Sequence, residues 1–199
     1  MKQYNLAFSG LGGQGVMTVS QVLAAAAAHE NVQVVVFEGT GISQRGGGVY
    51  SFLRFGESYS PKIPIGVADA LISLEISEII RIIHYLKPQG QIWANTGTIH
   101  GYYTKLRPEL YPTEEKIKEM ARLKTDQLYM IPASRLAQEA GSAQAINMTM
   151  LGAFSSMNPI LNIDSITWAI EESSKKFAEV NLKAFWRGYD FAKKEGKTE

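Results

Sequence analysis

The sequence predicts an α/β fold of three layers, a mainly parallel sheet with helices on both faces, Rossmann-like in its first half. Three observations predict it. Short β-branched runs alternate with stretches of helical period. The first run, Tyr4–Ser9, enters the glycine-dense turn Gly10-Leu11-Gly12-Gly13-Gln14-Gly15, which opens a helix-like segment. A chain of 199 residues with 45 % hydrophobic content can bury one full core, and no linker or repeat divides it, so residues 1–199 are expected to form one domain.

The elements follow in order. Tyr4–Ser9 and Gln33–Glu38 read as strands, with β-branched runs and turn residues at their ends. Between them Val16, Val19, Val22 and Leu23 recur at helical spacing, and Ala24–Ala28 is a strong helix former. Val49–Phe55 is a strand, followed by a turn at Gly56-Glu57-Ser58. Residues 61–66 hold two prolines, which fix φ and remove donors, and are irregular. Ala68–Leu74 reads as a buried strand. Ile76, Ile79, Ile80, Ile83 and Leu86 make an apolar helix face that Pro88-Gln89-Gly90 is expected to terminate, before a strand over Gln91–Asn95. About Gly97 to Leu128 regularity is weakest, although Thr113-Glu114-Glu115 is a sound helix start. Leu128–Ile131 is a short strand, and Pro132 opens a helix that Gly141 closes. The remainder is helical over Ala143–Met157, Ser165–Ser173 and a last segment carrying Ala178, Leu182, Phe185, Tyr189 and Phe191-Ala192 on one side.

Composition narrows function by exclusion. A net charge of +1, with basic residues spread out, gives no nucleic-acid stripe and no membrane-seeking patch. No apolar run approaches the roughly 20 residues of a membrane helix, and Met1 leads almost at once into a strand with no visible signal peptide, so a cytoplasmic location is expected. Zero cysteines exclude a cysteine-ligated iron–sulfur cluster, a thiol nucleophile and a disulfide. His29, His84 and His100 lie far apart without carboxylates at ligand spacing, so no metal site is expected.

Gly10, Gly12 and Gly15 match G-x-G-x-x-G, and Glu38 follows at the distance of a ribose-binding acid. Helix-start N–H groups there favour an anion such as phosphate. Gly13 widens the turn, and the Gln14 amide can donate and accept. The competing reading is a tight turn that only packs helix on sheet. A second glycine loop, Gly39–Gly48, contains Gln44, Arg45, Gly46 and Gly47 and follows a strand, so it is expected beside the first loop at the carboxyl edge. Arg45 offers a planar cation to phosphate or carboxylate; an ordinary surface loop is the alternative. The cofactor-binding candidates are therefore Gly10, Gly12, Gly13, Gln14, Gly15, Gln44, Arg45, Gly46 and Gly47. No catalytic set emerges: neither G-x-S-x-G nor a P-loop occurs, and Glu75 reads as a helix-start acid before a general base.

These motifs, with Ser60-Pro61-Lys62-Ile63-Pro64, Ala68-Asp69, Asn95-Thr96, Asn147-Met148 and Leu151-Gly152 in that order, resemble one family from about Tyr4 to Ala192. It is the gamma-type subunit of the 2-oxoacid:ferredoxin oxidoreductases, and Ser43-Gln44-Arg45-Gly46-Gly47 is closest to the beta subunit of the indolepyruvate enzymes. The resemblance is loose over 97–128. It implies a part in oxidative decarboxylation of a 2-oxoacid such as indolepyruvate, pyruvate or 2-oxoglutarate to the acyl-CoA. Thiamine diphosphate, magnesium and iron–sulfur clusters would sit on partner subunits, coenzyme A would be co-substrate, and ferredoxin would be reached indirectly. The chain has no G-D-G motif of its own, consistent with inactivity alone. Two other readings stand beside it: a freestanding Rossmann NAD(P)-dependent oxidoreductase, and a non-enzymatic nucleotide-binding regulator.

Overall fold

The structure, a computed structural model, describes residues 3–40, 47–99 and 107–195. Six strands, β1 (Tyr4–Leu11), β2 (Val34–Thr40), β3 (Gly48–Phe55), β4 (Ala68–Ser73), β5 (Leu86–Asn95) and β6 (Leu128–Ile131), form one sheet in the order β2-β3-β1-β4-β5-β6. β1, β4, β5 and β6 pair in parallel, whereas β3 is antiparallel to both β1 and β2. Five strands therefore share one direction and β3 alone opposes them. The sheet is mixed but mostly parallel.

Period-2 alternation assigns the faces. Leu6 and Phe8 of β1, with Leu53, Ile72 and Trp93, face one layer: α1 (Val16–His29), α4 (Ala133–Ala140), α5 (Ile146–Met157), α6 (Ile163–Ser173) and α7 (Ala178–Glu195). Ala7, Phe52, Leu71 and Ile92 face the thinner layer of α2 (Ile79–Ile82) and α3 (Glu114–Arg122). α5 is apolar on nearly every side, as a central helix must be. It touches α7 backbone to backbone: a Cβ on Gly152 would stand 1.9 Å from the Phe185 carbonyl oxygen, and one on Gly188 1.9 Å from that of Thr149. Among the described residues no helix is long and apolar enough to cross a membrane.

Two elements differ from expectation. The helix over Ile76–Leu86 is a 3₁₀ turn, one α turn and a second 3₁₀ turn, Ile76–Glu78, Ile79–Ile82 and Ile83–Tyr85. The connection must return along six-residue β4, roughly 20 Å at ~3.3 Å per residue. An α-helix over Ile76–Tyr85 gains about 15 Å, and the ~2.0 Å rise of the two 3₁₀ turns lengthens the return by about 3 Å. Pro88-Gln89-Gly90 does not stop a helix. It lies inside β5, where the register against β4 shifts and Gln89 takes φ 60°. β1 also runs two residues further than expected, pairing Gly10 with Val49 and Leu11 with Gly48.

Candidate functional site

β1 and β2 end at the same sheet edge, where both glycine-rich segments emerge. Gly12 N donates to the Gly47 carbonyl at 2.9 Å, so the turn after β1 and the start of β3 are joined through backbone. Gln44, Arg45 and Gly46 lie outside the described residues; Gly47 is the member of that loop the structure places.

Within the first turn each residue has a distinct part. The Gln14 side chain folds back: Leu11 N donates to its Oε1 at 2.6 Å, and its Nε2 donates to the Leu74 carbonyl at 3.3 Å. Gly10 leaves room for that amide, since a Cβ would stand 2.8 Å from Gln14 Oε1 and 3.2 Å from Leu74 Cβ. Gly13 has φ +97° and open space around its Cβ direction. Gly15, which caps α1, has φ +80°, and a Cβ there would lie 2.3 Å from Asn147 Nδ2, so conformation and packing both demand glycine. Asn147 itself donates to the Gly15 carbonyl at 3.2 Å, tying α5 to the turn.

The Leu74 carbonyl is the junction of this edge. It accepts from Gln14 and also from Asn95 Nδ2 at 3.1 Å. Asn95, fully buried at the end of β5, also binds Ser134 Oγ through Nδ2 and accepts from Gly97 N and Ser134 N, each at 3.1 Å. A hydroxyl pair, Ser9 and Ser73 at 2.9 Å, joins the ends of β1 and β4. Gln14, Asn95, Ser134, Ser9 and Ser73 thus tie β1, β4, β5 and α4 together at one edge.

Beside Gly48 a cavity of about 510 Å³ is lined by Ser9, Tyr50, Glu78, Arg81 and Tyr85 among others. Burial pushes the Glu78 carboxyl above its ordinary range, with Arg81 at 3.1 Å opposing and the Glu75 charge adding to the rise. Glu75, also buried, accepts from Ser77 N at 3.0 Å, from the Ser77 hydroxyl and from the Tyr111 hydroxyl. It caps the 3₁₀ turn, the helix-start role expected of it. Burial, then the bond to Glu75, raises the Tyr111 phenol above its usual value.

Glu38 is not where a ribose-binding acid belongs. β3 stands between β1 and β2, which places Glu38 opposite Ser51 on an edge strand, two strand spacings or roughly 10 Å from Phe8 of β1 and further from the turn. It is exposed beside Ser20, Gln21 and Ala24. His29 stacks on Trp168 at 4.2 Å and His84 lies against Tyr85; His100 is outside the described residues. Among the described residues no group of three or more His, Cys, Asp and Glu could hold a metal ion. Sequence reading gave no part to Asn147, Glu78, Arg81 or Tyr111. Asn147 stands in the sequence only as part of the Asn147-Met148 motif, at the start of a mostly apolar helical run.

A family model described as pyruvate ferredoxin/flavodoxin oxidoreductase matches residues 5–191. Indolepyruvate oxidoreductase subunit IorB of Thermococcus kodakarensis is 35 % identical over 197 residues, covering 97 % of this chain and 98 % of that one. The pyruvate/ketoisovalerate oxidoreductases common subunit gamma of Pyrococcus abyssi is 29 % identical over 181 residues, 89 % of this chain and 90 % of that one. The keto/oxoacid ferredoxin oxidoreductase gamma subunit from Geobacter sulfurreducens shares the fold at TM-score 0.70 and 24 % identity, covering 95 % and 98 % of the two chains. The fold recurs in a 2-oxoglutarate:ferredoxin oxidoreductase from Magnetococcus marinus, at TM-score 0.73 and 20 % identity. That match covers 98 % of this chain and 32 % of the longer one.

Proposed function

This chain belongs to the pyruvate ferredoxin/flavodoxin oxidoreductase family, and on that premise we propose that it is the gamma-type subunit of a 2-oxoacid:ferredoxin oxidoreductase of the indolepyruvate kind. One observation carries the reading: the match to an indolepyruvate oxidoreductase subunit runs end to end, 35 % over 197 residues. The complex would convert a 2-oxoacid and coenzyme A to the acyl-CoA in the cytoplasm and pass the electrons to ferredoxin. Thiamine diphosphate supplies the carbanion chemistry of such a reaction. A chain with no cysteine cannot ligate the iron–sulfur clusters that carry the electrons, and it has no G-D-G motif, so the clusters and the thiamine site are assigned to partner subunits.

What this chain contributes is a rigid, backbone-built edge. Gly10, Gly12, Gly13, Gly15 and Gly47 present main chain at close range to the partner or to the coenzyme held between them, and Gln44, Arg45 and Gly46 are assigned to the same contact by their place in the sequence. Gln14 holds the turn in shape through both ends of its amide. Arg45 contributes a charge-assisted contact to a carboxylate or phosphate. The displaced Glu38 argues against the nicotinamide alternative.

The test is turnover. The purified chain, given indolepyruvate, pyruvate or 2-oxoglutarate with coenzyme A, thiamine diphosphate and a viologen dye, is expected to reduce no dye alone and to support reduction once its partner subunits are added. Turnover by the isolated chain overturns the reading. So does NAD(H) binding near micromolar, about −8 kcal/mol, that Gly12→Val abolishes.

A further inference from the structure

The cavity beside Gly48 takes no part in the reading above, and the sheet makes room for it with small residues. Alternation with Ala7 and Phe52 turns Ser9, Gly48 and Tyr50 toward the thinner helical layer. The Tyr50 ring lies across Gly39 of β2, its partner on the far side from Ser9: a Cβ on Gly39 would stand 2.5–2.8 Å from three of its ring carbons. The space over Ser9 and Gly48 is left open, about 510 Å³, within the roughly 300–1,000 Å³ of small-molecule sites. Its opposite wall is Glu78, Arg81, Ile82 and Tyr85, from α2 and the 3₁₀ turns on either side of it.

The polar groups of this cavity carry both signs and keep bonding capacity in hand. Glu78, 6 % exposed, meets Arg81 Nε through Oε2 at 3.1 Å. Among the described residues no donor reaches its Oε1, and no acceptor takes the Arg81 Nη groups or the Tyr50 and Tyr85 hydroxyls. Ser73 Oγ gives its proton to the Glu75 carbonyl at 2.5 Å, so Ser9 donates to Ser73 at 2.9 Å and has only acceptor lone pairs left for the cavity. An anion alone would gain Arg81 but stand against Glu78, and a cation alone would gain Glu78 but stand against Arg81. A molecule with both charges satisfies both, its carboxylate on Arg81 and the tyrosine hydroxyls, its ammonium on Glu78 and Ser9. Arg81 by itself does not hold the Glu78 carboxyl in its ordinary range, and an ammonium adds the charge that would. The rings of Tyr50 and Tyr85, with Ile82, offer the apolar surface that suits a flat side chain.

We propose that this cavity binds a zwitterionic α-amino acid with an aromatic side chain. The site needs no partner subunit and does not rest on the subunit reading above; where that reading holds, such a ligand is the amino counterpart of an aryl 2-oxoacid. Calorimetric titration of the full chain with L-tryptophan, glycine and indole-3-propionate tests it, since glycine lacks the ring and indole-3-propionate lacks the ammonium. L-Tryptophan is expected to bind at least tenfold more tightly than either. Arg81→Met, at an exposed position, is expected to fold and to bind tryptophan at least tenfold more weakly than wild type. No binding of tryptophan by wild type overturns the proposal, and this ligand series stands whether or not a variant folds. Indole-3-propionate binding as tightly as tryptophan overturns the need for both charges, and glycine doing so overturns the aromatic side chain. Undiminished affinity in folded Arg81→Met overturns the placement in this cavity.

Discussion

The two edges of one sheet are built by opposite means. At the carboxyl edge the chain brings main chain close to main chain, Gly12 N to the Gly47 carbonyl, and buried amides such as Asn95 fill the remaining valences. At the amino edge a single charged side chain, Arg54, gathers a loop whose backbone would otherwise be loose. Close backbone approach requires glycine, which announces itself in sequence. A buried arginine on an apolar strand is a fainter mark, showing that partners exist but not which they are. What distinguishes the edges is thus the partner of the peptide groups, neutral amides and hydroxyls around close-packed glycine at one and a buried guanidinium at the other.

The comparison breaks most visibly at Arg54. Arg54→Ala leaves Asn5 Oδ1 without its guanidinium donor and the Ser60 and Lys62 carbonyls with only the Ser58 and Ser60 hydroxyls at 3.2 and 3.5 Å, which costs about 2–3 kcal/mol. Melting should fall by about 5–10 °C, and limited proteolysis should cut within 57–66 while the glycine turns stay protected. The corresponding change at the carboxyl edge is smaller. Gly15→Ala meets both a φ of +80° and the Asn147 amide, for about 2 kcal/mol, whereas Gly13→Ala meets only its φ of +97°, for about 1 kcal/mol. Equal losses in calorimetric melting would mean that Asn147 packing adds nothing at Gly15.

The smallest effect sharpens the electrostatics of the carboxyl edge. Burial raises the folded-state affinity of Glu78 for its proton, so the folded state keeps that proton to higher pH than the unfolded chain. Stability from this group is therefore lost as pH rises from the ordinary carboxylate range, about 4.3, through the raised value. Glu78→Gln removes the dependence. Its melting temperature should gain on wild type as pH goes from about 4 to about 7, and a constant difference would show that Glu78 does not titrate there.

How much was legible follows from the same physics. Strand alternation in Leu6-Ala7-Phe8, the Thr113 cap and the Gly141 stop are local signals, and the structure has each. The meeting of the two glycine segments at one edge followed from both strands pointing the same way. The insertion of β3 was not legible, because strand order is a long-range property, and with it went the expectation for Glu38. The broken helix after Glu75 is not legible either, since its apolar period is genuine and carries no local mark of the 3₁₀ turns. Arg54 sat unremarked within the strand Val49–Phe55, although a cation in an apolar strand was itself a signal of a buried partner set. Ser60–Pro64 was visible as a motif but without a role.

Amide hydrogen exchange, compared between the free chain and the chain mixed with the proposed catalytic partner, tests the central claim most directly. The account predicts slowed exchange at the Gly12–Gly15 turn and Gly47, with α6 unchanged. Protection confined to α6 and α7, with the glycine turn exchanging as in the free chain, would contradict it.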